Sequence, residues 1–198
     1  GIPKSKIIVI PHGIPPVAFE SSLKFKKELG LEGKNVISTF GLLDSNKGIE
    51  YVIRALPRVI ERFPNTVYLI LGATHPMVRK HKGERYRNYL MRTAERLGLK
   101  DHVKFYNKYL SLDEILNFLR ATDVYIYSAL DSRQSVSGTL SYALGCGRPA
   151  VATPTSYAKY VINGRNGMLV KFKQPRVIGA ALIKLLSDEK LVFSMSRE

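Results

Sequence analysis

Cysteine is nearly absent from this 198-residue sequence. Cys146 is the only one, so no disulfide can close within the chain, and a reducing, cytoplasmic setting is expected. Acids are scarce as well: sixteen Asp and Glu face thirty-one Lys and Arg, leaving a net charge of +15. No apolar run approaches the roughly 20 residues a membrane-spanning helix needs. The opening "GIPKSKIIVIPHG" lacks the long apolar block and small-residue cleavage site of a secretory signal. Residue 1 is Gly rather than Met, so a trimmed chain or an excised domain is expected. Two phosphate fingerprints are also missing: no G-x-G-x-x-G follows the first strand, and no G-x-x-x-x-G-K-[ST] occurs. His12, His75, His81 and His102 show no metal-ligand spacing, so no metal site is expected. No Ser-His-Asp set can be assigned by spacing.

What the sequence does contain is a regular alternation. Hydrophobic residues make up 45%, ordinary for a globular core. "KIIVI" (6–10) is a short apolar run, and "SSLKFKKELG" (21–30) reads as a capped helix stopped by Gly30. "NVISTFG" (35–41) and "TVYLILG" (66–72) read as strands ending in Gly. Between them, Ile49, Val52, Ile53, Leu56, Val59 and Ile60 recur at helical spacing within 46–63. A helix near 84–97 precedes a strand at 102–106, and Ser111 with Glu114 forms a capping-box pattern at the head of a helix over 111–121. Strands at 123–127, 149–153 and 167–170 alternate with helices at 138–145, 158–163 and 177–188. Such alternation predicts right-handed βαβ units in one α/β domain over 1–198: a Rossmann-like, three-layer fold with a mostly parallel sheet. "VYLIL" and "VYIY" carry no polar alternation, as strands covered on both faces should not.

The densest basic stretch is "MVRKHKGERYRNYLMRTAER" (77–96), where interspersed acids and helical spacing suit a solvated amphipathic helix. No helix-turn-helix, ribonucleoprotein or zinc-finger pattern accompanies it, so nucleic acid is disfavoured as a partner.

In an open parallel sheet, ligands bind beyond the carboxyl ends of the strands. Small residues gather there. Gly41 and Gly72 each end a strand, Lys47-Gly48 stand at a helix start, and Ser137, Gly138 and Thr139 open the helix that follows the polar loop 128–137. A helix start offers unsatisfied N–H groups and about half a positive charge, and Gly permits close approach by an anion. Two such openings and one Lys suit a diphosphate. Each feature alone is an ordinary turn or helix start. His12 in "HGI", and Asp131 with Arg133, are candidates for catalysis on the same terms.

Taken in order, these segments resemble the C-terminal, donor-binding half of a GT-B fold glycosyltransferase, of the glycosyl transferases group 1 (family 4) type. "VIPHGI" (9–14) is similar to the family's V-I-x-N-G-V, with His12 where Asn is usual. "FGLLDSNKGIEYVIRAL" (40–56), "VYLILG" (67–72), "HVKFYNKYLSLDEILNFLRATDVYIYSA" (102–129), "CGRPAVAT" (146–153) and "VINGRNGMLV" (161–170) follow in the family's order. The resemblance implies transfer of a sugar from a nucleotide-activated donor, with retention at the anomeric carbon, no obligatory metal and no cofactor beyond the nucleotide sugar. It places the donor diphosphate on Lys47 and on the helix start at Ser137, Gly138 and Thr139. It implies that Gly72 and the segment around Tyr109 border the nucleoside and that Gly41 also binds the donor. An N-terminal acceptor domain is the implied partner, and the chain alone is expected to transfer little.

Departures from the family pattern are specific. The phosphate-binding Arg after the first Gly is Leu42. The E-x7-E glutamates fall on Gln134 and Tyr142, which retain hydrogen-bonding groups for a sugar hydroxyl and a ribose but supply no carboxylate. "TPTSYAKY" (153–160) stands where the family has a Gly-rich loop. Two other readings follow: a degenerate nucleotide-sugar-binding or interaction module without chemistry, and, from the charge alone, a nucleic-acid binder. Under the first reading the basic surface also suits peripheral contact with an anionic membrane at its cytoplasmic face.

Overall fold

The computed structural model of the protein describes residues 3–8, 10, 12–18 and 20–197. Among the described residues six strands form one sheet: β1 (Asn35–Phe40), β2 (Thr66–Leu71), β3 (Val103–Tyr106), β4 (Val124–Tyr127), β5 (Ala150–Ala152) and β6 (Gly167–Leu169). Every pairing is parallel, and the order is β3-β2-β1-β4-β5-β6. Nine helices connect and flank the described strands: α1 (Ser22–Glu28), α2 (Ile49–Arg62), α3 (Pro76–Lys82), α4 (Arg85–Arg96), α5 (Leu112–Ala121), α6 (Gly138–Gly145), α7 (Ser156–Val161), α8 (Pro175–Leu186) and α9 (Glu189–Met195).

Side-chain alternation along the strands builds two cores. Ile37, Tyr68, Ile70, Val124, Ile126 and Val151 face α2, α4 and α8 on one side. Val36, Phe40, Leu69, Leu71, Tyr125 and Ala150 face α5, α6 and α7 on the other. Both faces are apolar because both are covered, which is why the strands read as unbroken apolar runs. On the first face α2 and α8 approach closely: a Cβ on Gly179 would stand 3.3 Å from the Ala55 carbonyl oxygen.

The helix α5 carries the expected capping box, with the Ser111 hydroxyl accepting from the Glu114 N–H and the Glu114 carboxylate accepting from the Ser111 N–H. The basic stretch 77–96 is not one helix. Gly83, at φ +60°, ends α3, and α4 begins at Arg85. Its left-handed backbone stops one helix and re-aims the next, a break that charge periodicity does not register. None of the described residues in the run at 6–10 lies in a strand. Its described residues Ile7, Ile8 and Ile10 are exposed, the last two at 85% and 84%, and Val9 lies outside the described residues. The last helix, α9, extends beyond the elements expected from the sequence.

Candidate functional site at the carboxyl ends of the strands

The strand order reverses direction at β1, so the connections after β1 and β4 leave toward opposite faces and open a crevice at their carboxyl ends. From β1 the chain passes Gly41, runs through a single 3-10 turn (Ser45–Lys47) capped by the Asp44 side chain, and enters α2 at Gly48. From β4 it passes Ser128 and enters α6 behind Ser137. The Ser128 hydroxyl donates to the Lys47 carbonyl at 2.7 Å and so joins the two connections.

Gly41, Lys47 and Thr139 meet in this crevice. A Cβ on Gly41 would stand 3.1 Å from Thr139 Cγ2 and 3.5 Å from Lys47 Nζ. Lys47 is half-buried, and among the described residues its ammonium has no hydrogen-bond or ion-pair partner. Burial holds its pKa below the usual lysine value, and the Asp44 carboxylate only partly opposes this. A desolvated cation with no carboxylate in contact is electrostatically unfinished.

The head of α6 is unfinished in the opposite sense. Ser137 is buried and caps the helix, its hydroxyl accepting from the Leu140 N–H at 3.3 Å. The Ser141 N–H donates to the Ser137 carbonyl. The N–H groups of Gly138 and Thr139 have no acceptor among the described residues. Ser137 and Thr139 hydroxyls lie 3.2 Å apart. Beneath them, the buried hydroxyls of Tyr125 and Tyr127 make no hydrogen bond of normal geometry, and burial raises both phenol pKa values.

Gly72 is the closest contact of the site. At φ +132°, its missing Cβ would stand 2.3 Å from the Gly41 carbonyl oxygen, so the ends of β1 and β2 touch backbone to backbone. Its own carbonyl accepts from Arg87 Nη2 at 2.8 Å. Arg87 is buried, its Nε donates to Glu84 at 3.2 Å, and its Nη1 is buried without a partner. Glu84 in turn accepts from the Thr74 hydroxyl, which together with Arg87 holds its carboxyl below the usual range. Nothing in the sequence marked Arg87, one of many basic residues between 77 and 96.

Tyr109 is 83% exposed and, with Phe40, Gly41, Leu42, Gly72 and Ile115, lines a hollow of about 180 Å³. A second, of about 500 Å³, adjoins it through Leu42, Ala73 and Tyr109 and carries Arg79 and Lys80. Tyr142 packs edge-on against Phe40 and His12, with ring centroids 6.3 Å apart in each pair. The structure thus gathers Gly41, Lys47, Thr139 and Gly72, sets Ser137 and Gly138 at the adjoining helix head, and places Tyr109 on an apolar flank. Gln134 stands apart in the loop before α6. Its side-chain amide nitrogen donates to the Val136 carbonyl at 3.0 Å, and its backbone carbonyl accepts from the Tyr157 N–H.

A further hollow lies at the opposite ends of the strands. It has a volume of about 460 Å³, lies beside Asn35 and holds Lys26, Asp123 and Arg148. Lys26 is paired with Asp123 at 2.7 Å, and Arg148 donates to the carbonyls of Cys146, Arg120 and Thr122. These cations already have partners. Among the described residues no group of three or more His, Cys, Asp and Glu converges.

Known proteins share this fold. The C-terminal domain of a group 1 glycosyl transferase from Francisella tularensis superposes with a TM-score of 0.77 at 21% identity, over 90% of this chain and 88% of that one. An Anabaena protein solved with UDP and glucose superposes at 0.75 and 22% identity, over 88% of this chain and 45% of that one. The fold is therefore that of the C-terminal half of a GT-B glycosyltransferase. In sequence, an uncharacterised glycosyltransferase of Methanocaldococcus jannaschii is 27% identical over 94% of this chain and 46% of its own. A GDP-mannose-dependent phosphatidylinositol monomannoside mannosyltransferase of Mycolicibacterium smegmatis is 26% identical over 98% of this chain and 50% of its own. The chain spans about half the length of the curated relatives it matches. The family described as Glycosyl transferases group 1 matches residues 21–198, and on that match the chain belongs to the group 1 glycosyl transferases.

Proposed function

We propose that this domain holds the diphosphate of a nucleotide-activated sugar and forms the donor half of a retaining glycosyltransferase. One observation carries the proposal: the unpartnered Lys47 ammonium and the Thr139 side chain meet at the bare backbone of Gly41, and Thr139 stands at the head of α6, where the N–H groups of Gly138 and Thr139 are unpartnered. A diphosphate offers each of these the oxygen it lacks. Negative charge grows on that diphosphate as the bond to the sugar breaks, so fixed donors there favour departure over the bound ground state. The hollow beside Gly72 and Tyr109 suits a nucleoside, with Leu42 offering apolar contact where the family's Arg would offer charge.

The acceptor would come from a second, N-terminal domain. Exposed Ile7, Ile8 and Ile10 support this reading, because a solitary domain gains nothing by leaving such a run in water. The relatives, about twice the length of this chain, support it as well. No metal or organic cofactor enters the proposed transfer. No described helix is long and apolar enough to cross a membrane.

A non-catalytic binding module is the second reading, and Gln134 and Tyr142 favour it. Neither carries a carboxylate, and Gln134 has its amide nitrogen committed to its own loop.

Isothermal titration with UDP, GDP and ADP tests the donor site. One nucleotide should bind saturably, and Lys47→Ala should weaken it by about tenfold or more, the worth of one charge-assisted contact. No binding by any of the three, or binding indifferent to Lys47, would overturn the proposal.

A further inference from the structure

His12 lies over the head of α6. Its Nε2 is 3.1 Å from the point a Cβ on Gly138 would occupy, and its ring meets Tyr142 edge-on. Its other nitrogen, Nδ1, is 2.8 Å from the Gly13 carbonyl oxygen. A carbonyl can only accept, so Nδ1 carries the hydrogen, and in the neutral ring Nε2 is a bare lone pair. That lone pair has no hydrogen-bond partner among the described residues, and it faces Gly138 at the head of α6, where the N–H groups of Gly138 and Thr139 have none either.

An anion seated on those amides would meet Nε2. In the neutral ring it would face lone pair against lone pair, which repels. With a second proton on Nε2, the ring becomes a donor and a cation, and the contact becomes a charge-assisted hydrogen bond. We infer that His12 is a phosphate-binding residue that acts only as imidazolium, taking up a proton as the diphosphate settles on α6. The inference rests on the donor-site reading and adds to it a proton-dependent contact from a residue outside the two strand-end loops.

The groups around the ring are compatible with this role. Tyr142, from α6, presents its ring edge, and Phe40, from β1, backs that tyrosine without any charge. Lys47 lies across Gly41 and Thr139, and Asp44, the nearest acid to Lys47, caps the turn on which Lys47 stands. No carboxylate is paired with His12 among the described residues, so the negative charge that holds the second proton is the ligand's own.

The test compares parent, His12→Gln, His12→Lys and Lys47→Ala, titrated at pH 6 and pH 8.5 with whichever of UDP, GDP and ADP binds the parent most tightly. Taking ratios at each pH cancels the ligand's own ionisation. His12→Gln should bind about tenfold more weakly than the parent at pH 6 and within about twofold of it at pH 8.5. His12→Lys keeps a cation at both pH values, so it should match the parent at pH 6 and exceed it at pH 8.5. Lys47→Ala should lose affinity at both. A His12→Gln ratio equal at the two pH values, or near one at both, would overturn the inference while the Lys47 result left the donor site standing. If no nucleotide binds the parent, both fall together.

Discussion

At the scale of single residues, the site depends on side chains that are missing. Gly72 is the sharpest case, since its position is defined by contact with the Gly41 carbonyl and by a backbone angle L-residues avoid. Gly72→Ala would place a methyl 2.3 Å from that oxygen, with backbone on both sides of the clash. The strands would have to part at their carboxyl ends. We expect a loss of about 2–5 kcal/mol from strain and overpacking together, read by urea denaturation, with nucleotide affinity lost in the same variant. A variant of parental stability would show that the β1–β2 approach is looser than described. The sequence does show that Gly41 and Gly72 end strands, because apolar runs stop there. That the two glycines touch, and that Lys47 and Thr139 close over one of them, was not legible from spacing. These contacts join segments tens of residues apart; the strand-end glycines, Lys47 and the Ser137 helix start suggested a shared diphosphate, but not how they meet.

At the scale of elements, the placing of Lys47 depends on how α2 begins. Its N-cap is Gly48, which has no side chain to satisfy the first N–H groups. A residue from another helix does so instead: the Tyr86 hydroxyl on α4 accepts from the Ile49 N–H at 3.0 Å and donates to Glu50 at 2.6 Å. Burial and the Glu50 carboxylate together push the Tyr86 phenol far up, so it stays protonated and keeps donating through the working pH range. Tyr86→Phe would orphan a buried N–H and strip Glu50 of its donor. The expected cost is about 1–2 kcal/mol, with weaker nucleotide binding because the Lys47 turn leads directly into α2. Thermal melting and the same titration measure both; a stability loss with unchanged affinity would separate the cap from the site. Cross-helix capping has no signature in sequence, whereas local capping does, and the Ser111–Glu114 box was legible for that reason. The same contrast explains α3 and α4. Charge spacing suggested one helix, and the turn at Gly83 that divides it depends on a single backbone angle.

For the molecule as a whole, parallel pairing was legible from the βαβ alternation, but the strand order was not. No local pattern says that β4 lies beside β1, and that adjacency creates the crevice. The net charge of +15 works at this scale too. Arg79, Lys80, His81, Lys82 and Arg85 are exposed around Gly83, with Met77 exposed beside them, and Arg79 and Lys80 also line the hollow that Leu42 and Tyr109 share. The basic surface therefore borders the mouth of the candidate site. Such a surface attracts anionic nucleotides, and it would also settle on an anionic leaflet, each basic residue near the surface adding about 1 kcal/mol at physiological salt. The charge reversals Arg79→Glu and Lys80→Glu separate these uses. The parent should co-sediment with phosphatidylserine-containing vesicles and not with neutral ones, and the double variant should lose most of that binding. High salt should release the parent, since the attraction fades within a Debye length. Indifference to lipid charge would leave steering of the nucleotide as the work of this face, and the double variant would then slow nucleotide association without changing its rate of release.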